Sequence, residues 1–128
     1  MGYKHLLLID SNSDYAEIFT MAIKTIDSSI KFTIENNALQ AFKNLNSAKK
    51  LPDIIFLDFH MPYLDGQEFL KLLHAIKGLK KIPLILYSGH SDNTITVLTK
   101  KFKSLAFLEK PNNFHDIIES LQMILGYD

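Results

Sequence analysis

Short apolar runs alternate with segments of helical periodicity along the chain, and this alternation limits the possible folds more than any other feature. There are five runs, at residues 6–9, 30–34, 54–57, 84–87 and 105–108. Four of them are continuously apolar, which is typical of strands covered on both faces of a sheet. The second run alternates apolar and polar residues and therefore indicates a strand near an edge of that sheet.

Between the runs, apolar residues recur three and four positions apart, as on one face of an amphipathic helix. The five segments cover residues 15–26, 38–45, 69–76, 92–102 and 114–125, and Gly78 is predicted to close the third. Strict alternation of strand and helix predicts an α/β architecture, with a parallel sheet wrapped by helices on both faces. The 128 residues suit one domain, so a single unit over residues 1–128 is expected.

Composition removes several classes of function. All 14 basic residues are lysine, and 14 acidic residues balance them. Nucleic-acid binders normally carry excess positive charge and use arginine, so no nucleic-acid partner is expected. The absence of cysteine excludes disulfides and thiolate metal sites, and the five histidines show no metal-ligand spacing. No apolar run approaches the ~20 residues of a membrane span, so no membrane partner and a cytoplasmic location are expected.

Charged and hydroxyl side chains follow four of the predicted strands at the point where each strand ends. Asp10 and Ser11 follow the first, Asp58 the third, Ser88 the fourth and Lys110 the fifth. Taken singly, each residue has an ordinary alternative role, which is a helix cap for Asp10 or Asp58, a turn residue for Ser88 and a surface lysine for Lys110. The carboxyl ends of parallel strands meet at one edge of a sheet, where ligands bind in this architecture. The sequence therefore predicts a polar site built from four strands.

The residues of this site resemble a known family. Residues 58–66 read D-F-H-M-P-Y-L-D-G and resemble the motif D-x-x-M-P-x-x-D-G of response-regulator receiver domains. Asp10 after the first strand, Ser88 after the fourth and the Lys-Pro pair at 110–111 complete the family pattern in order. The resemblance covers essentially the whole chain. It implies the doubly wound, flavodoxin-like topology of receivers, with five parallel strands and five helices.

The resemblance implies a role for each of these residues. Asp58 would be the phosphoacceptor, taking a phosphoryl group from a sensor histidine kinase or a phosphotransfer protein. Ser88 and Lys110 would stabilise the phosphoryl oxygens. Mg²⁺ would neutralise charge during transfer and would be held by Asp10, Asp58 and the backbone carbonyl of His60. A turnover enzyme is not expected, because a hydrolase with an aspartate nucleophile would need a carboxylate where His60 stands.

In this family, the hydroxyl residue is coupled to an aromatic residue on the fifth strand, which here gives the pair Ser88 and Phe107. Movement of Ser88 toward the phosphoryl group would let Phe107 turn inward and alter the face formed by the fourth helix, fifth strand and fifth helix. As a stand-alone receiver, the chain is expected to act by docking an unknown downstream protein there, and the fifth helix is a candidate homodimer surface. The alternative is that Phe107 is fixed core packing, as an aromatic residue on a central strand usually is.

One position departs from the family pattern. Receivers carry two adjacent acidic residues after the first strand, and the second contacts the metal, whereas this chain has Asp10-Ser11. A neutral hydroxyl replaces a carboxylate, so Ser11 is a weak or lost ligand and weak Mg²⁺ binding is expected. This leaves open a pseudo-receiver that binds protein partners without phosphorylation. An FMN-binding flavodoxin type is a poorer alternative, because residues 11–13 match its hydroxyl-rich phosphate loop only faintly.

Overall fold

The computed structural model describes residues 3–61, 64–89, 93–102 and 105–127. Its elements are, in chain order, β1 (His5–Ile9), α1 (Ser13–Ile26), β2 (Lys31–Glu35), α2 (Ala38–Ser47), β3 (Ile54–Asp58), α3 (Gly66–His74), β4 (Leu84–Ser88), α4 (Asn93–Lys101), β5 (Leu105–Glu109) and α5 (Phe114–Leu125). The predicted alternation is confirmed. Pro62 and Tyr63 of the motif, and Asp92 of the predicted fourth helix, lie outside the described residues.

Among the helices of the described residues, none combines the length and apolar character needed to cross a bilayer.

The five strands form one parallel sheet in the order β2-β1-β3-β4-β5. The strand order reverses between β1 and β3, which is the switch point where sites form in sheets of this kind. β2 is an edge strand, as its alternating pattern predicts, and none of its residues is fully buried. Both β3 and β4 are buried along their whole length. The predicted doubly wound architecture is therefore confirmed, and β1, β3 and β4 lie at its centre.

Two core layers cover the sheet. The α2–α4 layer lies against helices α2, α3 and α4, and the α1/α5 layer lies against helices α1 and α5. Side chains alternate between the layers along each strand. On β4, Leu84 and Leu86 belong to the α2–α4 layer, whereas Ile85 and Tyr87 belong to the α1/α5 layer. Ser88 therefore lies on the α2–α4 side of the sheet, opposite to Tyr87.

Helix α3 ends earlier than its apolar stripe predicts. Its start is fixed by a capping box, in which the Asp65 carboxylate accepts the amide of Glu68 and the Glu68 side chain accepts the amide of Asp65. The last helical residue is His74 and not Ile76, and Gly78 does not close the helix. The amide of Ile76 bonds only three residues back, at 3.2 Å, so the chain tightens into turns. Ile76 still packs against the α2–α4 layer, which explains the misleading stripe.

Candidate functional site

Three of the predicted site residues meet at the carboxyl edge of the sheet. The Nζ atom of Lys110 lies 3.5 Å from Asp10 Oδ2 and 3.7 Å from Asp58 Oδ2. The side chain of Asp10 is fully buried, and those of Asp58 and Lys110 are 12% and 21% exposed. One ammonium group thus lies close to two poorly solvated carboxylates, of which Asp58 is the more exposed.

Asp10 accepts hydrogen bonds at both of its carboxylate oxygens. The amide of Asn12 donates to Oδ1 at 2.8 Å, and the hydroxyl of Tyr87 donates to Oδ2. Helix α1 is capped instead by Asn12, whose side chain accepts the amide of Tyr15 at 3.1 Å. Asp10 is therefore not used as a helix cap, and its carboxylate is directed into the site.

Asp58 is the more accessible of the two carboxylates. The amide of His60 donates to Asp58 Oδ1 at 3.2 Å, while the imidazole of His60 is exposed. Burial raises the pKa of Asp58 above its ordinary value; the positive charge of Lys110 opposes that rise, and the negative charge of Asp10 adds to it. Lys110 is thus the cation that favours the ionised, nucleophilic form of Asp58.

Ser88 lies beside this cluster and contacts it through the backbone. Its carbonyl oxygen accepts the amide of Lys110 at 2.6 Å. Its side chain is buried, at 1% exposure, and its hydroxyl has no hydrogen-bond partner within the described ranges. Buried hydroxyls nearly always have a partner, so this one is suited to a ligand that arrives later.

The donor set suits a divalent cation such as Mg²⁺. Asp10 and Asp58 present their Oδ2 atoms to the same cation, the Lys110 ammonium. Mg²⁺ in proteins is commonly bound by one or two carboxylates together with substrate phosphate oxygens. Ser11 is exposed and brings no charge, so the site holds one carboxylate fewer than the family pattern. The residues present fit the metal, with Asp10 and Asp58 as its charged ligands.

A second group of possible metal ligands lies on α5, where the histidine pattern of the sequence predicts none. The ligand atoms of His115, Asp116 and Glu119 lie within 4.8 Å of one another. His115 Nε2 is 3.0 Å from Glu119 Oε1, and all three residues are exposed. Such exposed groupings are common without an ion, and this one includes none of the predicted site residues.

Two tyrosines that the sequence analysis does not identify also belong to the site. Lys110 Nζ lies 4.2 Å from the ring centroid of Tyr15 and 5.1 Å from that of Tyr87, within cation–π range. The two rings stack, with centroids 5.8 Å apart. Burial, followed by the charge of Asp10, raises the pKa of both hydroxyls, so both stay protonated. Tyr87 pairs with Asp58 in the register of β3 and β4, a pairing across strands that no local sequence pattern shows.

Phe107 lies next to β4 on the side of the sheet that also carries Ser88. It pairs with Leu86 in the register of β4 and β5, and it is half-buried against the α2–α4 layer. A half-buried ring at this position has solvent on one side and core on the other. This environment is compatible both with fixed packing and with an inward turn, the two alternatives that the sequence leaves open.

A scan against protein-family models matches residues 6–122 to the response regulator receiver domain. A curated relative, the probable transcriptional regulator ycf29 of Porphyra purpurea, is 27% identical over 130 residues and covers 100% of this chain. The chain spans 59% of that relative's length and 16% of the length of another, the C4-dicarboxylate transport transcriptional regulatory protein DctD of Pseudomonas aeruginosa, which is 32% identical over 77 residues.

Solved structures support the same fold. The phosphorylated cyanobacterial phytochrome response regulator RcpA superimposes with a TM-score of 0.84 at 19% identity, covering 95% of this chain and 91% of that one. The Mn²⁺-bound form of response regulator Rcp1 gives a TM-score of 0.81 at 22% identity, covering 94% and 91%. At these identities the likeness concerns the fold, and it extends over nearly the whole chain.

Proposed function

This chain belongs to the response regulator receiver domain family, and from that membership we propose that Asp58 accepts a phosphoryl group from the phosphohistidine of a sensor histidine kinase or phosphotransfer protein. Receiver domains are signalling modules of two-component systems that interact with such kinases. The observation that carries the proposal is the convergence of two buried carboxylates on the Lys110 ammonium. The backbone amide of Lys110 is bonded to Ser88, whose buried hydroxyl has no partner among the described residues. We take residues 1–128 as one receiver unit acting in the cytoplasm.

The proposed transfer is a nucleophilic displacement at phosphorus. A carboxylate oxygen of Asp58 forms the new P–O bond while the P–N bond to the donor imidazole breaks. The imidazole nitrogen keeps the electron pair of the broken bond and takes up a proton from solvent if it leaves as an anion. The product on Asp58 is an acyl phosphate, and no oxidant or second reactant is needed.

Charge neutralisation is the main task of the surrounding residues. Lys110 faces both carboxylates in the resting state, and the same ammonium can shift to a phosphoryl oxygen on Asp58 without leaving the site. Ser88 can turn its hydroxyl to donate to a second phosphoryl oxygen. Mg²⁺, held by Asp10, Asp58 and the backbone carbonyl of His60, would supply further positive charge for the transferring group.

The proposed output is a change at the surface next to Ser88. Rotation of the Ser88 side chain toward the phosphoryl group frees space on the α2–α4 side of the sheet, where Phe107 is half-buried. An inward turn of Phe107 would then alter the face made by α4, β5 and α5. A downstream protein, or a second copy of the chain, would recognise that face.

A phosphodonor assay tests the proposal. The protein is incubated with acetyl phosphate or phosphoramidate and Mg²⁺, and its intact mass is measured. We expect the wild type to gain one phosphoryl group and Asp58→Asn to gain none. Asp14→Asn is the matched control, because Asp14 is an exposed carboxylate in the first turn of α1, and this variant should be modified like the wild type.

The neutral Ser11 favours one alternative, in which the chain is a pseudo-receiver that binds protein partners without phosphorylation. The same assay separates the two functions. No mass gain at any Mg²⁺ concentration, with either phosphodonor, would contradict phosphoryl acceptance and support the interaction module. A gain that persists in Asp58→Asn would instead contradict the choice of acceptor.

A further inference from the structure

The hydroxyl of Tyr87 makes a contact that the roles proposed above do not use. It donates to Asp10 Oδ2, the same oxygen that lies 3.5 Å from Lys110 Nζ. Tyr87 is 1% exposed, and its one hydroxyl proton is already donated to the carboxylate of Asp10. Its backbone carbonyl accepts the amide of Phe59 at 2.9 Å, and its ring stacks on Tyr15. Backbone and ring are thus both fixed, and the hydroxyl is a rigid donor.

Asp10 is therefore held from two separate parts of the chain. The Asn12 amide anchors Oδ1 from the loop before α1, and Tyr87 anchors Oδ2 from the end of β4. A carboxylate bound at both oxygens cannot rotate about its terminal torsion without breaking one of these bonds. The orientation of Asp10 matters here more than in a site with two acidic neighbours, because Ser11 next to it supplies no charge.

We propose that Tyr87 is a positioning residue, which strengthens divalent-cation binding by fixing the direction in which Asp10 presents its carboxylate. The inference rests on the proposed function, because it concerns the metal that accompanies phosphoryl transfer to Asp58. Residues that hydrogen-bond to metal ligands typically contribute about 10- to 100-fold in metal affinity. Tyr87 acts here through Asp10, by way of the hydrogen bond to Asp10 Oδ2, and is not itself proposed as a ligand of the cation.

Calorimetric titration of Mg²⁺ and of Mn²⁺ into three proteins tests the inference. Tyr87→Phe removes the hydroxyl and keeps the ring that stacks on Tyr15. Tyr127→Phe is the matched control, because the Tyr127 hydroxyl also donates to an aspartate, Asp27, which is not part of the site. We expect Tyr87→Phe to weaken metal binding about 10-fold or more and Tyr127→Phe to bind like the wild type.

Equal or tighter binding by Tyr87→Phe would overturn the positioning role and leave phosphoryl acceptance intact, because the mass assay measures the latter separately. If the wild type binds the metal too weakly to titrate, Ser11→Asp is compared with the double variant Ser11→Asp/Tyr87→Phe. The double variant is expected to bind the metal about 10-fold more weakly or worse. The inference is also overturned if no metal binding is detected with either Ser11 or Asp at position 11. It is overturned as well if Tyr87→Phe does not change the affinity of the Ser11→Asp protein. Thermal unfolding shows whether each variant is folded at the titration temperature, and a variant with a lowered melting temperature is titrated at a lower temperature together with the wild type.

Discussion

The backbone amide of Lys110 donates a hydrogen bond of 2.6 Å to the carbonyl oxygen of Ser88. This bond lies directly beyond the last paired residues of β4 and β5, Ser88 and Glu109. It fixes the two backbones relative to each other where the site begins. A response of Ser88 to a phosphoryl group must then come from rotation of its side chain, and that rotation breaks no hydrogen bond of the hydroxyl within the described ranges.

We expect Ser88→Ala to leave the free energy of unfolding unchanged or to raise it by up to about 1 kcal/mol. A buried hydroxyl without a partner is destabilising relative to a methyl group, whereas loss of a bonded hydroxyl usually costs about 0.5–1.5 kcal/mol. Urea denaturation measures the difference. Thr20→Val is the control for a bonded hydroxyl, because Thr20 Oγ1 donates to the carbonyl of Ala16 at 2.7 Å. A loss in Ser88→Ala as large as in the control would show that the Ser88 hydroxyl has a resting partner.

We expect Ser11→Asp to bind Mg²⁺ more tightly than the wild type, by several-fold to about 100-fold. The substitution adds a carboxylate next to Asp10, and hard divalent cations prefer charged oxygen ligands. Isothermal titration calorimetry gives both affinities directly. Ser28→Asp, at an exposed position after α1, adds the same charge away from the site and should leave the affinity unchanged. Equal affinities for Ser11→Asp and wild type would show that Ser11 does not account for weak binding.

The fold was predictable from the sequence because the signals that specify it are local. Continuously apolar runs mark β1, β3, β4 and β5, and the alternating run marks the edge strand β2. Strand ends then place Asp10, Asp58, Ser88 and Lys110 at one edge, since the carboxyl ends of parallel strands coincide. Which of these side chains touch, and at what distance, depends on packing between elements that are far apart in the sequence.

Tyr87 shows where such reasoning stops. A tyrosine at the end of an apolar run counts as an apolar residue, and its ring does pack in the α1/α5 layer. Its hydroxyl, however, finds its partner Asp10 at a separation of 77 residues, which no local pattern reveals. The predicted end of α3 was wrong because a local pattern continued beyond the element. Ile76 keeps the apolar spacing, although its backbone has already left the helix.

We expect Gly66→Ala to lower the free energy of unfolding by about 1–3 kcal/mol, the usual cost of overpacking a core. A Cβ atom at residue 66 would lie 2.8 Å from Phe59 Cδ1 and 3.2 Å from Phe59 Cα, and the backbone atom cannot move aside easily. Gly78→Ala is the matched control, because a Cβ atom there meets nothing within 4 Å. Thermal and urea unfolding compare the two variants. Equal stability of both would show that Phe59 and the loop after β3 adjust freely.

We expect Asp58→Asn to become more stable relative to wild type as the pH rises from about 4 to about 7. Burial raises the pKa of Asp58, the charge of Lys110 opposes the rise and that of Asp10 adds to it. A carboxyl group with a higher pKa in the folded than in the unfolded protein favours folding while protonated. That contribution is fully present below the unfolded pKa and is lost as the pH rises through the folded pKa. The amide introduced by the substitution cannot ionise, so the variant avoids this loss.

The relative stability of Asp58→Asn and the wild type is measured from their melting temperatures, between about pH 4 and about pH 7 and without metal. Asp14→Asn, at an exposed position outside the site, is the control for removing one acidic group. An advantage of Asp58→Asn that shrinks toward neutral pH would mean that the attraction of Lys110 outweighs the burial of Asp58. In that case the resting site would favour the ionised carboxylate even without a divalent cation.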